Sequence, residues 1–171
     1  LGEVVWQFRN YVRRFPIHEK IHNGRFEDVD ADGQPRHWVL AKRLSEGGGE
    51  LVWTENADGK RCPGLAYDRS GALCLQQTRS VTPGKSYRVS GLVKAEGLDG
   101  FACVQLAFID EYSGLLGDVT QSPRSEPISG DTPWDRVLFP AEAPPGAVAA
   151  DLRLFINGTG RVYADELFCF G

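Results

Sequence analysis

The chain has 171 residues, of which 42% are hydrophobic, so it can fold as one domain around a sizeable core. Its formal net charge of -4 provides no excess of cations for phosphates, which argues against a nucleic-acid partner. No apolar run is long enough to cross a bilayer and no signal peptide is recognisable, while the absence of methionine leads us to expect a fragment or processed form of a longer protein.

Residues 1–22 differ in pattern from the rest of the chain. Apolar residues recur there at roughly helical spacing, and Pro16 ends the pattern because proline interrupts a helix. We predict a short amphipathic helix followed by an extended linker. Two interpretations stay open: the helix caps the domain that follows, or it connects this domain to a preceding domain of the same parent chain.

From residue 23 onward the hydrophobic period changes to two. Such alternation is typical of strands that bury one face and leave the other partly wet. It is clearest in residues 73–76, 87–94, 103–108 and 152–157. Many short strands, separated by turn signals and without helical patterns between them, predict an all-β sandwich of two antiparallel sheets over residues 23–171.

The four cysteines are widely spaced: Cys62, Cys74, Cys103 and Cys169. They form no CxxC pair, which argues against a structural zinc site. The interpretation we favour is that most of them are small buried or half-buried residues. If a disulfide forms, Cys62–Cys74 is the most plausible pair, since the glycine-containing segment between them can fold back on itself.

Two short strings bracket the part predicted to form strands. Asn23-Gly24-Arg25-Phe26-Glu27 opens it, and Val162-Tyr163-Ala164-Asp165-Glu166-Leu167 closes it. Each string places a carboxylate beside an aromatic residue. The pairing suggests a closed sandwich whose first and last strands meet.

Further motifs follow in order between the two strings. They are residues 32–38, the block at residues 81–97, Trp134, and the Ala143-Pro144-Pro145-Gly146 turn. In order and spacing, this set resembles the carbohydrate-binding modules with a galactose-binding-like jelly-roll β-sandwich, the type appended to xylanases, cellulases and laminarinases. The resemblance covers about residues 22–171, and residues 1–21 lie outside it.

The resemblance implies a jelly-roll fold and a non-catalytic carbohydrate-binding role. The parent would be a carbohydrate-active enzyme or glycosyltransferase located outside the cell or in the periplasm. The partner would be an oligo- or polysaccharide, bound on the outer face of one sheet.

The resemblance also implies a structural calcium ion. Family members commonly bind it through a Glu in the first strand and an Asp in the last, which correspond to Glu27 and Asp165. Calcium takes carboxylate and carbonyl oxygens, so we expect backbone carbonyls near Gly24 and in residues 47–50 to complete the shell. The alternative is that both carboxylates are ordinary charges at strand edges.

Sugar recognition requires aromatic rings for the apolar faces of the sugar and polar or cationic groups for its hydroxyls. By alternation, one wet face carries Gln76, Arg88, Ser90, Lys94, Gln105, Arg153 and Phe155. We predict that Gln76, Arg88, Lys94, Gln105 and Arg153 bind the glycan, although polar residues on an outer face are often simply solvated. Trp53 and Tyr112, near loops, are the predicted stacking residues, and Trp53 fits a core position equally well.

No catalytic constellation is apparent in the sequence. The three histidines lie near the irregular start, and neither a GxSxG string nor a phosphate-binding loop occurs. Adjacent acidic pairs such as Asp110-Glu111 point to opposite faces of a strand, so they do not supply two carboxyls to one cleft. We therefore predict a protein that is not an enzyme. Two alternatives stay open: a structural or protein-interaction sandwich without sugar ligand, and a polysaccharide lyase or hydrolase on the same fold.

Overall fold

A computed structural model describes residues 20–43, 48–69, 71–118 and 121–171. Its strands, in chain order, are β1 Val39–Arg43, β2 Gly49–Glu55, β3 Arg61–Tyr67, β4 Ala72–Ser80, β5 Ser86–Ile109, β6 Ile128–Glu142 and β7 Ala149–Phe170. Within these described ranges, no helix is long and apolar enough to cross a membrane. The predicted N-terminal helix falls on residues outside the described ranges, so it stays a prediction.

The long strands β5 and β7 build both layers of the molecule. They pair antiparallel along most of their length, from Ile109 opposite Ala149 to Arg88 opposite Phe170. The other strands attach to this central ladder in two groups. The result is one curled antiparallel sheet whose two halves pack as the layers of a β-sandwich, so the predicted all-β sandwich is confirmed.

We call these halves the first and second layer. The first layer contains β1, β4, residues 149–157 of β7 and residues 101–109 of β5. The second layer contains β2, β3, β6 and the remaining parts of β5 and β7. Each of the two long strands therefore belongs to both layers.

The core lies between the layers and follows the predicted alternation. Leu152, Leu154 and Ile156 of β7 point inward from the first layer, and Val162 and Ala164 of the same strand point inward from the second. All five are buried. Complete burial of one large aliphatic side chain contributes about 1.5–3 kcal/mol, so these positions account for much of the stability of the sandwich.

A corner made of glycines lets the long strands change layers. Gly97 and Gly100 lie in β5, close to Gly158 and Gly160 of β7, and the φ angles of these four range from 55 to 127. The pairing register of β5 with β7 also shifts in this region. The corner therefore combines a bend in both strands with an irregular ladder.

The close approach of the two backbones explains why this corner requires glycine. A Cβ atom on Gly158 would collide with the carbonyl oxygen of Asp99, and one on Gly100 would collide with the carbonyl oxygen of Asn157. Their φ angles, 127 and 113, lie in a region that L side chains rarely adopt. Both the backbone conformation and the lack of space thus exclude other residues.

The two bracketing strings meet in the fold, as predicted. The amide of Leu167 donates a hydrogen bond to the carbonyl of Gly24 (2.9 Å), and the amide of Lys20 donates to the carbonyl of Cys169 (2.8 Å). The first string nevertheless forms a turn, in which the Phe26 amide donates to the Asn23 carbonyl (3.0 Å), rather than the predicted strand.

No disulfide joins the four cysteines, and all four are buried. The favoured interpretation of small buried residues is therefore confirmed. The alternative Cys62–Cys74 bridge does not form, because Cys62 belongs to β3 in the second layer and Cys74 to β4 in the first.

The thiols should react slowly in the folded protein. Burial is the main cause that raises the pKa of Cys62 and of Cys103 from 9.0 to about 11, and the charge of Asp165 adds to the effect at Cys62. Because the thiolate is the reactive form, this rise in pKa makes the thiolate fraction roughly 100-fold smaller at pH 8, which slows the reaction of these thiols. Ellman's reagent should therefore label the native thiols slowly and all four rapidly in guanidinium chloride. Labelling of only two thiols in denaturant would indicate a disulfide.

Substitution of Gly158 tests the corner. Gly158→Ala should lower the free energy of unfolding by about 3 kcal/mol or more, since it combines a rare backbone conformation with a backbone collision. Gly84→Ala is the matched control, because Gly84 also has a positive φ of 76 but a Cβ atom added to it would enter open space. It should therefore lose less stability than Gly158→Ala. Urea unfolding of both variants measures the difference, and equal losses would show that the collision is unimportant.

Candidate functional site

A row of polar side chains crosses the outer face of the first layer. The register places Gln76 of β4 opposite Arg153 of β7, and Arg153 opposite Gln105 of β5. Val39 of β1 and Arg124, which follows β5, lie at the two ends. Because residues directly opposite each other in a ladder share a face, these side chains point to the same side of the sheet. We call Gln76, Arg153 and Gln105 the polar row.

An ion pair holds Arg153 in place. Its Nη2 donates a hydrogen bond to Oδ2 of Asp151 (2.8 Å), while the hydroxyl of Thr78 donates to the other carboxylate oxygen (2.6 Å). Asp151 shares the face because it lies two residues before Arg153 in the same strand. Arg153 is only 1% exposed. Such a buried charge persists because its partner compensates the loss of hydration.

Gln76 and Arg153 each have a buried side-chain atom that lacks a hydrogen-bond partner in the described residues. The two atoms are Nε of Arg153 and Oε1 of Gln76. An unsatisfied buried polar group costs about 1–3 kcal/mol. The row therefore offers one donor and one acceptor on neighbouring strands, which a hydroxyl group satisfies well because it both donates and accepts.

An aromatic pair lies beside the polar row. Phe155 follows Arg153 by two residues in β7, and its ring centroid is 5.9 Å from that of Phe101 in β5. The guanidinium carbon of Arg124 is 5.9 Å from the Phe101 centroid. Both rings are partly exposed. The face thus combines accessible aromatic surface with polar groups.

The accessibility of the face is uneven. Arg153 and Gln105 in the middle of the row are buried, whereas Arg124 and Val39 at its ends are exposed. A ligand can therefore contact the aromatic pair and the ends of the row directly. Contact with Arg153 requires side chains above it to move.

The structure separates residues that the sequence analysis placed on a single face. Gln76, Gln105 and Arg153 lie together in the polar row, but Arg88 and Lys94 lie on the outer face of the second layer. The assumption of one wet face was wrong because β5 changes layers at the glycine corner. Alternation is correct within each half of the strand but does not carry across the bend.

The two predicted stacking residues also lie away from the polar row. Trp53 lies at the edge of the second layer, where the guanidinium carbon of Arg61 is 4.7 Å from its ring centroid. It borders a cavity of about 230 Å³ whose other lining residues are Phe26, Glu27, Val29, Lys60 and Arg61. Tyr112 lies in the turn after β5 and is 84% exposed.

Sequence reasoning missed several residues of the face. Asp151 carried a usable signal, since its two-residue spacing from Arg153 in a strand places both on one side. Phe101 follows Asp99-Gly100, a pair that is typical of turns and therefore hid a bend within a strand. Arg124 lies outside the named strands, so no periodic pattern indicated it.

The fold is similar to that of several solved proteins. The enzymatically active domain of tailspike protein 4 from bacteriophage CBA120 aligns with a TM-score of 0.67 and 16% identity, over 88% of this chain and 21% of that chain. The CBM22-1 and GH10 modules of Clostridium thermocellum endo-1,4-β-D-xylanase 10B, complexed with xylohexaose, align with a TM-score of 0.63 and 16% identity. That alignment covers 90% of this chain and 28% of the xylanase chain.

An isolated module matches over nearly its whole length. TmCBM61, in complex with β-1,4-galactotriose, aligns with a TM-score of 0.56 and 14% identity, over 90% of this chain and 98% of that chain. The chain has the fold of a carbohydrate-binding module. No family model and no curated protein matches its sequence. The chain spans only 21% and 28% of the first two solved chains, so it corresponds to one part of each.

The two residues predicted to bind calcium, Glu27 and Asp165, have other surroundings in this chain. Lys60 places its Nζ 2.7 Å from Oδ1 of Asp165, and the amide of Glu166 donates to the same oxygen (2.8 Å). Glu27 is exposed. Among the described residues, no three His, Cys, Asp or Glu side chains form a group able to hold a metal ion. Calcium requires roughly six to eight oxygen ligands, so Glu27 and Asp165, with the Lys60 ammonium already paired to Asp165, do not fit the ion in this arrangement.

Substitution of Arg153 tests how the polar row is held. Arg153→Met should lower the free energy of unfolding by about 3–5 kcal/mol, because it leaves the buried Asp151 carboxylate without its cation. Arg88→Met is the matched control on the exposed face of the second layer, where a change within about 0.5 kcal/mol is expected. Urea unfolding measures both. If Arg153→Met lowers the free energy of unfolding no more than Arg88→Met does, the Asp151 carboxylate is stabilised by other groups.

Proposed function

We propose that this chain is a non-catalytic carbohydrate-binding module whose ligand binds on the outer face of the first layer. The observation that supports this best is the polar row beside the aromatic pair, on a domain with the fold of carbohydrate-binding modules. Neither feature alone would suffice, since polar outer faces and surface phenylalanines are both common.

The proposed binding mechanism follows from the chemistry of the face. The rings of Phe101 and Phe155 provide an apolar surface for the C–H groups of a sugar ring. Once the side chains above Arg153 move, one hydroxyl of the sugar accepts a hydrogen bond from Nε of Arg153 and donates one to Oε1 of Gln76. This contact would repay the cost of the two unsatisfied atoms, so a sugar hydroxyl is better suited to this position than an apolar group.

Extended glycan chains are the ligands to test first. The solved proteins with this fold include one in complex with xylohexaose and one in complex with β-1,4-galactotriose. The row crosses several neighbouring strands, which gives the face room for more than one sugar unit. We extend the proposal to a location outside the cell or in the periplasm, within a larger carbohydrate-active protein like the xylanase.

Binding measurements on aromatic variants test the proposal. Wild-type protein should be retained on a glycan array or in affinity gels with xylan or galactan. Phe101→Ala and Phe155→Ala should each weaken binding about three- to tenfold, the loss expected when a stacking ring is removed. Isothermal titration calorimetry with the best oligosaccharide gives the dissociation constants.

Leu138→Ala is the control for this experiment. Leu138 is an exposed hydrophobic residue of β6 in the second layer, so its removal should leave binding unchanged. Melting temperatures establish that each variant is folded. The proposal would be contradicted if no glycan bound the wild type, or if Leu138→Ala weakened binding as much as the aromatic variants.

One observation favours a second candidate, a protein-interaction sandwich without sugar ligand. Arg153 and Gln105 are buried in the middle of the row, as expected for a structural polar network. In that case no glycan would retain the wild-type protein, so Phe101→Ala and Phe155→Ala would have no glycan binding to weaken. Arg153→Met would still destabilise the fold.

A further inference from the structure

The carboxylate of Asp165 lies close to the junction between the last strand and the opening segment of the described chain. It belongs to β7, two residues before Leu167, whose amide is bound to the carbonyl of Gly24. Its side chain is only 5% exposed. The residue therefore lies where the last strand meets the opening segment of the described chain, and its charge is largely removed from water.

The surroundings of Asp165 make a compensating cation necessary. Cys62, completely buried, lies close enough that the Asp165 charge contributes to the rise of the thiol pKa, after burial itself. A carboxylate withdrawn from water is tolerated only when it is paired and hydrogen-bonded. The amide of Glu166 supplies one hydrogen bond, which leaves the charge itself to be neutralised.

Lys60 supplies that charge in a fixed position. Its Nζ lies 2.7 Å from Oδ1 of Asp165, and its side chain is 25% exposed. The backbone of Lys60 is held by the turn between β2 and β3, where its amide donates to the side-chain oxygen of Asn56 (3.0 Å). The same oxygen accepts a hydrogen bond from the amide of Asp58 (2.9 Å). The turn thus presents the lysine to Asp165.

We infer that Lys60 acts as the internal cation of this domain, so that an ion pair rather than a bound metal ion joins the β2–β3 turn to β7. One ammonium group neutralises one carboxylate, whereas a divalent ion would need a second anionic ligand to balance its charge and further oxygen ligands to complete its shell. Glu27 is exposed, and none of the described ion pairs joins it to Lys60. The inference rests on these contacts alone and does not depend on glycan binding.

The first part of the test uses wild-type protein. Chelation with EDTA and addition of millimolar calcium should both leave the melting temperature unchanged, because a ligand stabilises a protein only when it binds the native state. Elemental analysis of the purified protein should find no stoichiometric metal. A lower melting temperature after chelation, or one calcium per chain, would overturn the inference.

The second part uses variants of the ion pair. Lys60→Met should lower the melting temperature by roughly 10 °C, because it leaves a buried carboxylate uncompensated. Lys60→Arg keeps the cation, so it should lower the melting temperature much less. The double variant Lys60→Met/Asp165→Asn should lower the melting temperature by less than the sum of the decreases in the two single variants, since the residues interact directly.

Arg136→Met is the matched control. Arg136 pairs with Glu166, the neighbour of Asp165, at 3.3 Å, but the two side chains are 56% and 33% exposed. Surface ion pairs contribute little to stability, so the melting temperature of the Arg136→Met variant should stay close to the wild-type value. If Lys60→Met is no more destabilising than Arg136→Met, the Lys60 ion pair does not stabilise the junction between the β2–β3 turn and β7, and the inference is wrong. If Lys60→Met does not fold, Lys60→Arg and the chelation experiment still decide between lysine and metal.

Discussion

The ladder between β5 and β7 is the constraint on which the rest of the fold depends. These strands hydrogen-bond to each other in both layers, and most of the other strands attach to them. Such long strands can cover both sides of a core only if they bend together. The glycines at 100, 158 and 160 allow this, because the two backbones approach there more closely than any side chain permits, and Gly97 contributes a positive φ.

The candidate site follows from the same ladder. Gln76, Arg153 and Gln105 form a row only because β7 lies between β4 and β5 in the first layer. The Asp151 carboxylate then fixes the guanidinium group of Arg153 and leaves its Nε without a partner among the described residues. A guanidinium group already held by Asp151 is suited to recognition, because Arg153 itself loses little freedom when a ligand completes its hydrogen bonds, although the side chains above it must move first.

Local patterns predicted much of this fold but little of the arrangement across it. Alternation identified the strands and inward residues such as Leu154, because burial on one side of a strand is a local property. It did not show that Arg88 and Gln105, both in β5, belong to different layers, since Asp99-Gly100 has the composition of an ordinary turn. The pairing of Lys60 with Asp165 spans 105 positions of sequence, and no short-range pattern indicates a contact of that kind.

The shared strands have a consequence for how the domain responds to stress. In a sandwich of separate sheets, the layers are joined mainly through side chains and can slide or part with their hydrogen bonds intact. Here the layers are joined by two continuous backbones, so such a displacement must break the ladder at the corner. The amide hydrogens of both layers should consequently exchange with solvent in one cooperative opening rather than layer by layer.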